Sequence, residues 1–289
     1  MKKTVLIAVG VAMVSMGAAR AGYFDVINTD DPVGWWRFED ESTANGETAD
    51  NSGTTGNTND GTFNGGVTAT GSLAGLGNAA SFDGDSTYVD VGFALRDALD
   101  GAAAVSVEAW IKNDQLPEDD PNNPSYFVFA NAVNASQTGV RLAINPTSPE
   151  MNLGGRAKGG EAFVSSGASY SDSDTWHHVV GVMDYADDRI DVYVDGVLTS
   201  NSAAFGSTSY TKGNTDDDRD SIGAFRENER FFDGLIDEVA VYNYDLGDPD
   251  GDGDSSDSRV LAHFLAIPEP TALALLGAAL MPLLVHRRR

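Results

Sequence analysis

The chain has 289 residues, with 44 acidic against 18 basic side chains, a net charge of −26 and no cysteine. Disulfides, thiol nucleophiles and thiolate-held zinc are thereby excluded, so stability has to come from an apolar core or from bound ions. Six of the basic residues fall in residues 1–21 and 271–289, which carry no acid; the strongly acidic stretch between them repels nucleic acid and attracts divalent cations.

The N-terminus has Lys2 and Lys3, an apolar run from Val5 to Val14, and Ala19-Arg20-Ala21. That is the layout of a secretion signal cut before Gly22, with Ala19 and Ala21 framing the cleavage site. The run is too short to favour a spanning helix. Residues 42–77 are rich in Gly, Asn, Thr and Ala and read as loops, with one short strand around Gly61–Phe63. Val105–Ile111 alternates, placing Val105, Val107, Ala109 and Ile111 on one face. Trp176–Tyr185 is a second strand. After a turn at Asp187-Asp188, Arg189–Val194 is a third, with Ile190, Val192 and Val194 inward. Asp195-Gly196 suits a two-residue hairpin because both positions tolerate positive φ. Leu235–Tyr242 is the fourth clear strand, and strict alternation groups Asp237 with Leu235, Val239 and Val241. Arg259–Phe264 reads as a short helix capped by Ser258 or Asp257. Helix signals are otherwise nearly absent, so the expected fold class is all-β, an antiparallel two-sheet jelly-roll sandwich.

At the C-terminus, Ile267-Pro268-Glu269-Pro270 is followed by the uncharged Thr271–Val285 and by His286-Arg287-Arg288-Arg289. A helix over Thr271–Val285 is about 22 Å long, short of the roughly 30 Å hydrocarbon core unless the arginines snorkel. Those arginines stay on the cytoplasmic side. The expected organisation is a signal peptide over residues 1–21, one β domain over 22–266 and an anchor helix within 267–289.

Pro268-Glu269-Pro270, the apolar stretch and Arg287, Arg288 and Arg289, in that order, resemble the PEP-CTERM sorting signal. The resemblance implies an exosortase-type sorting enzyme as partner, passage through the inner membrane by the tail, and delivery to the cell surface or extracellular matrix of a Gram-negative-type bacterium. A second resemblance runs through the middle of the chain. Trp35-Trp36-Arg37-Phe38-Glu39, Asp50-Asn51-Ser52-Gly53, Ala80-Ser81-Phe82-Asp83-Gly84, Tyr88-Val89-Asp90-Val91 and Val105–Ile111 come first. Trp176-His177-His178-Val179-Val180, Val192-Tyr193-Val194-Asp195-Gly196 and Phe232-Asp233-Gly234-Leu235-Ile236-Asp237-Glu238-Val239 follow, with Tyr242-Asn243 after them. In that order they are similar to a LamG-like, concanavalin A-like jelly-roll domain. That sandwich serves sugar binding, adhesion, protein contact and some glycosidases, so the resemblance specifies fold more than function.

The resemblance implies one structural Ca²⁺ between the N-terminal strand and a late strand, held by Asp237 with Glu39 reaching it from the other end. A carboxylate among apolar neighbours needs a cation or several donors. The alternative is an Asp237–Arg37 ion pair or an edge position in water. Asp248, Asp250, Asp252 and Asp254, with Gly253, fit the start of an EF-hand-type loop, but Arg259 stands where a bidentate Glu belongs, and a plain solvated loop is the competing reading. Tyr126, Tyr210, Phe225, Arg226 and Arg230 are candidate glycan contacts, with core packing as the alternative for each aromatic. No H-E-x-x-H, G-x-S-x-G or Glu-x-Asp-x-x-Glu motif occurs. The function expected is therefore a non-catalytic surface module binding extracellular polysaccharide or mediating adhesion, needing no cofactor beyond one calcium ion. A polysaccharide-active enzyme and a purely structural matrix protein are the alternatives.

Overall fold

The computed structural model describes residues 22–40, 42–120, 125–131, 139–144, 150–157, 160–169, 173–203, 208–212, 219–226, 229–253 and 255–267. The signal segment with Ala19 and Ala21, the sorting residues Pro268, Glu269, Pro270 and Arg287–Arg289, and Asp254 lie outside them. Among the described residues no helix is long and apolar enough to cross a membrane.

Among the described residues, two antiparallel sheets of eight strands each make up the domain. The first orders β14 (Val197–Ala203), β13 (Arg189–Val194), β12 (His177–Asp184), β7 (Ala104–Asn113), β16 (Asp233–Tyr242), β5 (Asn78–Asp83) and β4 (Thr68–Gly71), with β1 (Gly34–Trp36) also on β16. The second orders β11 (Gly160–Ser169), β10 (Glu150–Ala157), β9 (Gly139–Ile144), β8 (Tyr126–Asn131), β15 (Asp220–Ile222), β6 (Tyr88–Gly92), β3 (Gly61–Asn64) and β2 (Thr48–Ala49). The facing sides close over one apolar core. Val105, Val107, Ala109 and Ile111 enter it from β7, and Ile190 and Val192 from β13, as alternation requires. The hairpin turn has φ 52° at Asp195 and 76° at Gly196, the left-handed pair a tight antiparallel turn needs.

Residues 42–77 hold more order than their composition suggested. Three short strands (β2, β3, β4) and a 3₁₀ turn at Gly56–Asn59 occur there. The strand expected around Gly61–Phe63 is β3; β2 and β4 escaped sequence reading because strands of two to four residues are too short to set up a period.

The α-helices among the described residues are short: α1 (Tyr23–Thr29), α2 (Leu95–Leu99) and α3 (Val260–Ala266). The N-cap of α3 is Arg259, without a side-chain cap, rather than Ser258 or Asp257. Its backbone N–H is bonded instead to the Leu246 carbonyl, so tertiary docking sets where the helix begins. Helices α1 and α3 lie on the outer face of the first sheet. Tyr23, Ile27, Val260 and Ala266 there cover Trp35, Trp110, Val180 and Tyr242 in a second apolar cluster.

Candidate functional site

Strand β16 runs beside β7 on one edge, but its other edge is shared. β5 pairs with Asp233–Ile236 and β1 with Val239–Val241. At the handover the register to β7 slips between Asp237 and Ala240, and Glu238 takes φ 52°. This β-bulge breaks the alternation that grouped Asp237 with Leu235, Val239 and Val241. Ile236, Val239 and Val241 face the main core, whereas Asp237 sits opposite Trp110 on the outer side. Asp237 is thus buried, but under polar and aromatic cover rather than in the apolar core.

Three carboxylates gather at the handover. Asp237 accepts from the Ser72 hydroxyl at 2.5 Å and from the Glu238 N–H at 2.7 Å. Glu238 accepts from Trp35 Nε1 at 2.6 Å and from Arg37 Nε at 3.3 Å. Arg37 therefore pairs with Glu238, not with Asp237. Glu39 accepts from the Asn78 N–H at 2.9 Å, and Gly77, at φ 87°, leaves room for it where any Cβ would run into the carboxylate. Burial, then the charge of Glu238, push Asp237 well above the ordinary carboxylate range. Burial also raises Glu238, to about 7, against the opposing effect of Arg37 and Trp35; the charge of Glu39 adds to the rise. Carboxylate and hydroxyl oxygens are hard donors of the kind Ca²⁺ takes. Glu39 and Asp237 would be the protein ligands, with the Ser72 hydroxyl beside them.

Among the described residues, Asp248, Asp250 and Asp257 are the one group of three or more His, Asp or Glu side chains that bring one ligand atom each within 4.8 Å of one another. Asp248 is mostly buried and already accepts from the N–H groups of Gly251 and Gly253, at 3.1 and 3.0 Å. Asp252 is exposed and has no part in that group. The loop closes on Asp257, a residue that spacing within the loop did not single out.

Under α1 and α3 lies a second ionic cluster, unforeseen from sequence. Glu108, fully buried on β7, meets His178 Nε2 and His263 Nδ1, each at 3.0 Å, and accepts from the Tyr242 hydroxyl. His263 Nε2 contacts Asp30 at 2.6 Å, and Arg259 Nε contacts the same carboxylate at 2.8 Å. Burial works against charge on His263, but Glu108 and Asp30 outweigh it and lift its pKa to about 9. Burial likewise opposes ionisation of Glu108, and the two histidines reverse that, holding it well below the usual range. His177 and His178 are accordingly structural: the first pairs with Asp195 at 2.8 Å, the second with Glu108.

The candidate aromatics divide. Tyr126 and Tyr210 are fully buried in the core rather than displayed on loops; Tyr126 packs on Phe232, and the Tyr210 hydroxyl is bonded to Asn131 at 2.6 Å. Large rings after a loop were drawn inward by the area they bury. Phe225 is different. With Phe127, Ala130 and Ala143 it forms a separate cluster on the outer face of the second sheet. The guanidinium carbons of Arg141, Arg226 and Arg230 lie 5.4, 4.8 and 5.4 Å from its ring centre. Arg230 also lies 5.7 Å from the centre of Phe127. Arg141 was missed because it sits 84 positions upstream of Phe225, and only the pairing of β8 with β9 and β15 brings them together.

Two stacked antiparallel sheets, with the bulged late strand beside the N-terminal strand, define a lectin-like β-sandwich. Residues 82–250 match the model of the concanavalin A-like lectin/glucanases superfamily, and the chain belongs to that superfamily. No curated protein matches it closely. Among solved structures, domain 4 of AbnA, a GH43 extracellular arabinanase from Geobacillus stearothermophilus, in complex with arabinotriose, is similar over 81% of this chain and 98% of that one, at 18% identity and TM-score 0.54. The binding domain of Paraclostridial Mosquitocidal Protein 1 is similar over 81% of this chain at 13% identity and TM-score 0.55. The binding domain of Botulinum neurotoxin DC, in complex with SialylT, is similar over 83% of this chain at 10% identity and TM-score 0.53. This chain spans about half, 52%, of each of those two binding domains. These likenesses concern the fold.

Proposed function

We propose that this chain is an exported, non-catalytic carbohydrate-binding module displayed at the cell surface or in the extracellular matrix. The observation that carries the reading is the extent of the match to the arabinanase domain. That domain was solved with arabinotriose, and this chain corresponds to nearly all of it. The buried carboxylates support the reading. Asp237, Glu238 and Glu108 are each engaged by hydrogen-bond donors or histidines inside the protein, an arrangement suited to holding the fold rather than to flanking a scissile bond. In this reading one Ca²⁺ ties Glu39 to Asp237 and so joins the N-terminal segment to β16, with the Asp248 loop as the competing site. The tail over residues 267–289 delivers the module through an exosortase-type enzyme.

The test is a glycan-array screen of the full chain with calcium and then with chelator, paired with a reducing-end assay on the polysaccharides that bind. Retention of saccharides without new reducing ends supports the proposal. Release of reducing ends makes the protein a polysaccharide-active enzyme, and no retention at all makes it a structural matrix protein.

A further inference from the structure

Leu261 and Leu265 stand one helical turn apart on α3, and both are exposed. The helix offers water no polar side chain, because its single polar residue, His263, is fully buried. The outer face of a surface helix is ordinarily charged or polar; this one is apolar.

The surface beside α3 is of the same kind. The Asp195-Gly196 turn lies against the helix, since a Cβ at Gly196 would stand 3.0 Å from Leu261 and 3.1 Å from Phe264. Val197 and Leu198, both exposed, follow that turn. Register pairs Leu198 with Tyr193, whose ring belongs to the apolar cluster under the two helices. Directly opposed residues share a face, so Leu198 opens on the outer side of the first sheet, as α3 does. Phe24 on α1 completes the set. Among the described residues these five are the large apolar side chains left exposed, and all belong to two packed helices and the turn against one of them. A single exposed leucine is ordinary, but a gathering of this kind marks a surface that something covers.

The course of the chain and its charge identify the cover. Four residues, 267–270, separate α3 from the uncharged Thr271–Val285. Even fully extended they carry the chain at most about 18 Å. With that stretch in a bilayer and Arg287–Arg289 on its cytoplasmic side, α3 cannot stand far from the lipid. A net charge of −26 is repelled by an anionic surface, but this side is poor in acids. Helix α3 carries none, α1 carries Asp25 alone, and Asp195 at the turn is paired with His177 at 2.8 Å. A helix of seven residues does not form at a membrane unaided. Docked on the domain it is preformed, so its leucines meet lipid without a cost of ordering.

We infer that this side of the domain lies on the surface of the phospholipid bilayer, with Leu198, Leu261 and Leu265 entering the boundary between headgroups and acyl chains. The inference rests on the anchoring reading of residues 267–289 and adds a lipid contact made by the folded domain itself.

The absence of cysteine makes a single labelled position unambiguous. The full chain with Leu198→Cys, carrying a nitrobenzoxadiazole dye, is reconstituted into vesicles of phosphatidylethanolamine and phosphatidylglycerol with doxyl-labelled acyl chains. Quenching should be strong at this position and absent for the dye at Asp85→Cys, on the exposed turn between β5 and β6. Adding Leu261→Ser and Leu265→Ser should lower the docked-to-free ratio read from the quenching about tenfold or more, the worth of two half-exposed leucines, at unchanged melting temperature. No quenching at Leu198 in chains that float with the vesicles, equal quenching at both positions, or an unchanged ratio in the serine variant would each overturn the lipid contact while leaving the anchor in place. A blue shift of the Leu198 dye without vesicles also overturns it: one that rises with protein concentration assigns the face to a second copy, and one independent of concentration assigns it to the chain's own tail. If the chain does not float with the vesicles, anchoring and contact fall together.

Discussion

His263 Nδ1 lies 3.0 Å from Glu108 Oε2, which makes a helix near the C-terminal end of the domain the cap of an acid buried on the outer side of the first sheet. The other ring nitrogen reaches Asp30, just past α1, so a single imidazolium is held between two carboxylates. Arg259, Tyr242 and His178 complete the surroundings of that pair. The folded state raises the His263 pKa from 6.5 to about 9, so it holds the proton more tightly than the unfolded chain does. The stability this contributes is fully present below about pH 6.5 and is lost as the pH rises through about 9. Its size is on the order of 3 kcal/mol, since each tenfold gain in proton affinity is worth about 1.4 kcal/mol. Urea melts between pH 6 and 9.5 should show that decline, and His263→Gln should flatten it. A slope unchanged in the variant would place the effect elsewhere.

Replacing Glu108 by Gln has a sharper effect. It leaves His178 and Tyr242 without their carboxylate and His263 with Asp30 alone, and removing one member of a buried ion pair costs about 3–5 kcal/mol. Thermal unfolding should report a large loss. A variant as stable as the parent would mean that the cluster is neutral in the folded state.

Trp35 and Glu238 should be energetically coupled. Trp35→Phe removes the 2.6 Å donor from a buried carboxylate, at a cost of about 1–3 kcal/mol. In a Glu238→Gln background the same change should cost clearly less, and a double-mutant cycle measures the difference. Additive losses would show that the indole contributes through packing alone.

Calcium should raise the melting temperature. At about one hundred times its dissociation constant a ligand adds roughly 2.7 kcal/mol, and about 1 kcal/mol moves a domain of this size by roughly 2–4 °C. Under the Glu39–Asp237 proposal, Asp237→Ala abolishes the shift and the double variant of Asp250 and Asp252 keeps most of it. The reverse result places the ion among Asp248, Asp250 and Asp257. Superimposed curves with calcium and chelator would remove calcium from the account altogether.

Export has its own test. The mature N-terminus should be Gly22 or close to it, which keeps α1 whole, since the Gly22 carbonyl accepts from the Val26 N–H. Replacing Arg287–Arg289 by Ala should leave the protein mis-sorted in a host with an exosortase, because the cytoplasmic retention charge is gone. A retained Met1, or unchanged delivery of the variant, would count against the respective signal.

Where a residue's role follows from its neighbours in sequence, it was legible beforehand. The alternation of Val105–Ile111 and the Asp195-Gly196 turn depend on local sterics and pattern, and the structure has them as read. The face of Asp237 was not legible, because a bulge at Glu238 inverts the alternation, and that bulge exists only where β16 exchanges β5 for β1 as its neighbour. Glu108 reads locally as an ordinary outward position of an alternating strand. Its two histidine partners come from residues 178 and 263, and no short-range pattern links them. Tyr126 and Tyr210 show the converse error: loop-flanking aromatics look displayed until the core that takes them is known.

The Asp30–Arg259 contact gives the domain a front and a back. Both ends of the folded unit meet on the outer side of the first sheet, while the arginine-covered phenylalanines lie on the outer side of the second. The two outer sides of a sandwich point in opposite directions. Whatever carries this domain by either end therefore holds it by the back, and the outer side of the second sheet faces away from the attachment without any hinge being needed.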